Sequence, residues 1–193
     1  MTKIGLFFGS FNPIHIGHLV IANHMVEFTD LEQVWLVVSP QNPFKERSQL
    51  LNDYIRLDMV RMAIEHYPKL RASDIEFSLP KPSYTIDTLT YLQEKYPEKE
   101  FSLIMGMDNL ESFPKWKNHE QILKNHHLYV YPRIGSEGGE LVNHPNVTIV
   151  PDVPVMQISA TFIRESIRNN KNVTPLLPEK VADFLDKNIY YRK

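Results

Sequence analysis

Two histidines three residues apart, His15 and His18, close the stretch GSFNPIHIGH at positions 9–18. Imidazole N–H groups donate hydrogen bonds to phosphoryl oxygens, and a protonated ring adds positive charge as those oxygens gather negative charge. The apolar run KIGLFF (3–8) precedes the pair. After it comes HLVIANHMVEF, with Leu19, Ala22 and Val26, and also Ile21, Met25 and Phe28, at helical spacings. A buried strand followed by a helix puts the imidazoles at a helix head on the carboxyl edge of a sheet. There the unpaired backbone N–H groups and the positive end of the helix dipole favour an anion. Gly9 and Gly17 have no side chain to hold a ligand away from the backbone, and Pro13 stiffens the connection between them. Phosphate handling is therefore the chemistry this stretch favours. Metal ligation by the same pair lacks an obvious third ligand nearby in sequence, and the bare H-x-G-H pattern is weak without the strand before it and the helix after it.

The remaining elements extend the same alternation. QVWLVVS (33–39), LRASDIEF (70–77), FSLIMG (101–106), HLYVY (127–131) and VTIV (147–150) read as strands. Between and after them, DYIRLDMVRMAIEHY, SYTIDTLTYLQEKY, HEQILKN, SATFIRESIRNN and LPEKVADFLDKNIYY read as helices. In the first of these Ile55, Met59, Met62 and Ala63 are expected to face the core; Thr85 and Ser159 are N-cap candidates, and Pro178 falls near a first turn. PQNPFKERSQLLN is a polar loop, and RIGSEGGELVNHPN (133–146) is a glycine-containing connection without apolar periodicity, the best candidate for a mobile loop. Short strands alternating with helices predict an α/β fold, doubly wound around a mostly parallel sheet, with C-terminal helices packed on or beside it.

Composition narrows the classes further. With 193 residues, 42% of them hydrophobic and 23% charged, the chain suits a single domain of an ordinary soluble globular kind. No run approaches the length of a membrane-spanning helix, and no small-residue cleavage site follows the N-terminal apolar stretch, so a cytoplasmic protein is expected. Zero cysteines exclude disulfides, thiolate nucleophiles and cysteine zinc sites. A net charge of −2 gives no electrostatic reason to expect a nucleic-acid partner, so any anion must be met by local geometry.

GSFNPIHIGHL resembles the signature of the nucleotidyltransferase superfamily that shares an HxGH motif with class I aminoacyl-tRNA synthetases. Those synthetases are much longer and carry a lysine-containing motif not found here. SPQNPFK (39–45), SYTIDTL (83–89), GMDNLESFPKW (106–116) and ISATFIR (158–164) resemble, in order and spacing, bacterial nicotinate-nucleotide adenylyltransferases over essentially the whole chain. Ala160 departs from that pattern, where a second serine is common. The resemblance implies a Rossmann-like nucleotidyltransferase domain over 1–193, with its 158–193 helical part carrying ISATFIR. It implies adenylyl transfer from ATP to nicotinate mononucleotide, giving the dinucleotide and pyrophosphate in NAD biosynthesis. Mg²⁺ would be bound mainly through ATP, with no protein ligand to it inferred.

The site residues follow from the same resemblance. His15, His18 and Arg164 are the catalytic candidates. Gly9, Ser10, Phe11, Gly106, Asp108, Ser159 and Thr161 join them around ATP. Read without it, Ser159 and Thr161 are helix-capping residues, Arg164 a solvated or paired charge and Asp108 an ordinary N-cap. Lys45, Tyr84, Thr85, Trp116 and Arg133 are the acceptor candidates. Lys45 and Arg133 are so named by resemblance alone, whereas Trp116 in a polar stretch could stack on a pyridinium ring or be a structural, half-buried tryptophan. Backbone N–H groups at Tyr84 and Thr85 could receive a carboxylate while Thr85 caps the helix. His66, His126 and His127 have no partner pattern. Two rival readings stay open: an adenylyltransferase for another phosphorylated acceptor, such as nicotinamide mononucleotide or phosphopantetheine, and a catalytically silent nucleotide sensor. Oligomeric state leaves no mark in the sequence.

Overall fold

Side-chain alternation with period two splits each central strand between two apolar cores. On β1 (Thr2–Gly9), Ile4 and Leu6 face one core and Phe7 the other; on β2 (Gln33–Val38), Trp35 and Val37 oppose Val34, Leu36 and Val38. Burial on both faces explains why these strands read as unbroken apolar runs. The structure, a computed structural model, describes residues 1–40 and 50–192, so Lys45 lies outside the described residues. Within them six strands form one sheet in the order β3-β2-β1-β4-β5-β6, completed by β3 (Leu70–Ser73), β4 (Lys99–Gly106), β5 (Leu128–Tyr131) and β6 (Val147–Ile149). Every pairing is parallel.

The chain winds from β1 outward to β3, then crosses back to β4 on the other side of β1 and winds outward again. That reversal distributes the helices over both faces. Against the first core lie α1 (Ile16–Phe28), α2 (Asp53–Ile64), α6 (Ala160–Arg168) and α7 (Glu179–Lys187); against the second lie α3 (Thr85–Lys95), α4 (Met107–Ser112) and α5 (His119–Asn125). In a doubly wound sheet the reversal opens a crevice beyond the carboxyl ends of the strands flanking it, here β1 and β4.

Three local expectations change. The third strand ends at Ser73, whose hydroxyl accepts from the Ile75 N–H at 3.4 Å; a 3-10 turn over Ile75–Ser78 follows and buries Ile75 and Glu76. Tyr84, not Thr85, is the N-cap of α3, and Thr85 is its first helical residue. On α2 the buried face is Arg56, Leu57, Met59, Val60, Ala63 and Ile64, rotated from the expected one so that Ile55 and Met62 are only partly covered. The connection over 133–146 contains a 3-10 turn at Gly139–Asn143, and its approach is tied to α4: Glu111 Oε1 accepts from Ser136 Oγ at 2.6 Å and from the backbone N–H groups of Glu137 and Gly138 at 2.8 and 3.0 Å. Ser159 does cap α6, accepting from Phe162 N–H at 3.1 Å.

Candidate active site

At the end of β1 the chain makes a tight path through Ser10, Phe11 and Asn12, with Phe11 in the left-handed region at φ 44°. Phe11 is buried, and a β-carbon on Gly9 would stand 2.8 Å from its ring, so glycine there lets the aromatic fold back over the strand end. The ring meets His18 edge-on with centroids 5.0 Å apart. His15 is the N-cap of α1 and His18 its third residue. The two imidazoles stack at 3.7 Å, and the His15 backbone N–H donates to His18 Nδ1 at 3.2 Å. Because Nδ1 accepts, the neutral His18 ring carries its proton on Nε2, as a donor fixed in direction.

His15 is 5% exposed, and its Nδ1 is buried without a hydrogen-bond partner. Burial, helped by the nearby Arg133 charge, lowers its pKa to about 4. The ring is thus neutral at pH 7.

The opposite wall comes from the far end of the chain. Arg164, on α6, donates through Nη1 to the Asn12 carbonyl at 2.8 Å and through Nη2 to Thr161 Oγ1 at 3.3 Å, while its buried Nε has no partner. Between the walls lies a cavity of about 500 Å³ beyond β1 and β4. Gly9, Ser10, Phe11, His15, His18, Ser159, Thr161 and Arg164 all line it, and so does Arg133. Neutral donors, a helix head and guanidinium groups facing one space suit an anion with several oxygens.

Other candidates are placed differently. Gly106 is the N-cap of α4, where a β-carbon would lie 2.5 Å from Asp108 Oδ1; the Asp108 carboxylate pairs with Arg133 Nε at 3.3 Å at the cavity's edge. Neither Gly106 nor Asp108 lines the cavity itself, whereas Asn109, not expected from sequence, does. Arg133 belongs to the wall that holds His15, not to the group around Trp116. Tyr84, Thr85 and Trp116 lie off the cavity. There Lys117 sits 4.6 Å over the Tyr84 ring and pairs with Asp87 at 3.0 Å, bridging the head of α3 to the segment carrying Trp116. The Trp116 ring is half-buried, 5.2 Å from Phe113.

Sequence reasoning missed the residues beneath the site. Arg56 is fully buried and donates to the carbonyls of Leu51 at 3.0 Å and Ser39 at 2.9 Å, and also to the Ser10 carbonyl, while pairing with Asp53 at 2.8 Å. It ties the ends of β1 and β2 to α2. The available signal was its position three residues before Met59 and four before Val60, which puts a cation on the apolar face of its helix. Among the described residues no group of three or more His, Cys, Asp or Glu side chains is arranged to hold a metal ion.

Comparison with known proteins fits this geometry. Residues 6–166 match the family described as cytidylyltransferase-like. The chain is 57% identical over 193 residues to a probable nicotinate-nucleotide adenylyltransferase of Flavobacterium psychrophilum, covering 99% of this chain and 100% of that protein. It is 58% identical to the corresponding protein of Flavobacterium johnsoniae, again over 99% and 100% of the two chains. The fold matches that of the Plasmodium falciparum nicotinic acid mononucleotide adenylyltransferase complexed with NaAD with a TM-score of 0.84, at 19% identity and covering 99% of this chain and 98% of that one.

Proposed function

The chain belongs to the nicotinate-nucleotide adenylyltransferase family, and from that premise we propose that its cleft transfers the adenylyl group of ATP to nicotinate mononucleotide, releasing pyrophosphate. The observation that carries this reading is the meeting of His15 and His18 with Ser159, Thr161 and Arg164 around one cavity, although some 140 residues separate the two groups.

A phosphate oxygen of the acceptor attacks the α-phosphorus of ATP in line. One P–O bond forms, the bond to the β-phosphoryl bridging oxygen breaks, and pyrophosphate departs with that electron pair. No side-chain nucleophile is required, so the protein's contribution is positioning and charge stabilisation. In this reading His18 Nε2–H donates to a non-bridging oxygen at the reacting phosphorus, and His15, stacked behind it, fixes that ring. Arg164, with Ser159 and Thr161, receives the departing pyrophosphate, and Arg133 adds a second positive charge. Gly106 and Asp108 serve the adenosine. Tyr84, Thr85 and Trp116, with Lys45 beyond the described residues, take the acceptor. Mg²⁺ would arrive on the ATP oxygens, where it neutralises charge.

Incubation with ATP, Mg²⁺ and each of nicotinate mononucleotide, nicotinamide mononucleotide and phosphopantetheine tests the assignment. Pyrophosphate release fastest with nicotinate mononucleotide is expected. Faster release with either other acceptor reassigns the substrate, and tight ATP binding with no release from any acceptor supports a silent sensor.

A further inference from the structure

Asn12 joins segments that are remote in sequence. Its carbonyl accepts from Arg164 Nη1 at 2.8 Å, and its side-chain oxygen accepts from the Leu51 N–H at 3.3 Å and from the Tyr191 hydroxyl at 2.6 Å. The phenol comes from the last residues of the chain, 179 positions away. Chain ends fray unless tied down. This one is tied: Arg192 pairs with Asp186, the Tyr190 N–H donates to the Leu185 carbonyl at 3.2 Å, and the Tyr190 ring packs on Phe184. Tyr191 itself sits at φ 62°, a backbone region that a residue with a β-carbon occupies at a cost, and its side chain reaches into the protein.

The phenol lies within electrostatic reach of both Arg164 and Arg56. Burial raises its pKa well above that of a free tyrosine, so it stays a donor at neutral pH. Two groups then converge on the loop after β1. Arg56 holds the Ser10 carbonyl from below, and Tyr191 holds the side chain of Asn12, whose carbonyl takes Arg164.

We propose that Tyr191 is a positioning residue for the transfer reaction: the C-terminal segment latches Asn12, and Asn12 aims the Arg164 guanidinium at the departing pyrophosphate. The proposal rests on the functional reading above for the role of Arg164. It explains why a terminal tyrosine adopts a left-handed conformation to reach a loop it does not neighbour in sequence.

Tyr191→Phe removes the hydroxyl and keeps the ring. Turnover should fall about tenfold, the effect of one lost hydrogen bond on a contact made in the transition state. The acceptor KM should stay within about twofold, and in the reverse reaction the pyrophosphate KM should rise. Tyr190→Phe, one residue earlier, should leave turnover unchanged. In the Tyr191→Phe/Arg164→Lys double variant the losses should not multiply, because both changes disable one unit. The Arg164 Nε–Hε NMR signal of the free protein should move or broaden in Tyr191→Phe, a readout independent of the substrate. Wild-type turnover and an unmoved arginine signal would overturn the proposal, as would multiplicative losses. Loss of the fold in Tyr191→Phe would reduce the residue to a structural role. If the wild-type protein releases no pyrophosphate, the functional reading fails, and the arginine signal alone decides whether the latch exists.

Discussion

Replacing His15 by Gln should make the protein less sensitive to acid. In the native protein His15 is enclosed, and its pKa of about 4 lies well below the ordinary 6.5. The unfolded chain therefore takes up this proton first. The stabilisation from keeping the ring neutral is complete above about pH 6.5, declines as the pH falls, and is gone below about pH 4. At about 1.4 kcal/mol per pH unit the whole span is worth about 3 kcal/mol, and about 2 kcal/mol of it falls between pH 7 and pH 5. Acidic side chains also titrate in this range, but they do so in both proteins and cancel in the comparison. Urea unfolding of wild type and His15→Gln at the two pH values, with linear extrapolation to water, isolates the histidine. Wild type should lose about 2 kcal/mol more than the variant on going from pH 7 to pH 5. A difference below about 0.5 kcal/mol would refute the argument, because a ring that protonates as easily in the fold as in the unfolded chain is not enclosed.

Three further outcomes test the cleft. His18→Ala should cut turnover at least about a hundredfold without loss of the fold, as removal of one oriented donor at a reacting centre does; near-normal turnover in a folded variant would remove His18 from the chemistry. Trp116→Ala should raise the acceptor KM far more than the ATP KM, and equal effects in steady-state assays would exclude ring stacking. Gly9→Ala would place a β-carbon 2.8 Å from the Phe11 ring, which in turn rests on His18. Overpacking of this kind should cost about 1–3 kcal/mol in urea unfolding and lower turnover, and a variant with wild-type values for both would show that Phe11 does not brace the imidazole.

The features readable in advance are those that repeat or stand together in the chain. Unbroken apolar runs mark β1, β2, β4 and β5, and helical spacing marks α1, so the strand-to-helix turn that presents His15 and His18 is legible. α4 is not: six residues give less than two turns of periodicity, and Gly106 before it reads equally well as a strand end. Ile75 and Phe77 alternate like strand residues and extend the expected third strand, yet the chain turns at Ser73. Arg133 is named by resemblance alone, and its place on the cavity lining with His15 depends on which wall its loop joins, which sequence order does not record. Arg56, Asn12 and Tyr191 act through contacts with distant backbone and side chains, and such contacts leave no periodic trace. Arg56 alone carried a local sign, a cation in line with Met59 and Val60.

The division of charge in the cleft follows from these contacts. In the proposed reaction the helix head presents donors to phosphorus: burial keeps His15 neutral, and the His15 N–H bond to His18 Nδ1 leaves Nε2 as the donor of that ring. Positive charge comes from two guanidinium groups, Arg133 on one wall and Arg164 on the other. Burial makes a charge on the His15 ring costly, and the nearby Arg133 charge adds to that cost. In the proposed reaction the imidazoles therefore supply direction and the guanidiniums supply charge. Moving a cation onto the first position should fail to replace the lost arginine: in an Arg164→Ala background, His15→Lys buries an ammonium at a helix head already positive, and turnover should not recover.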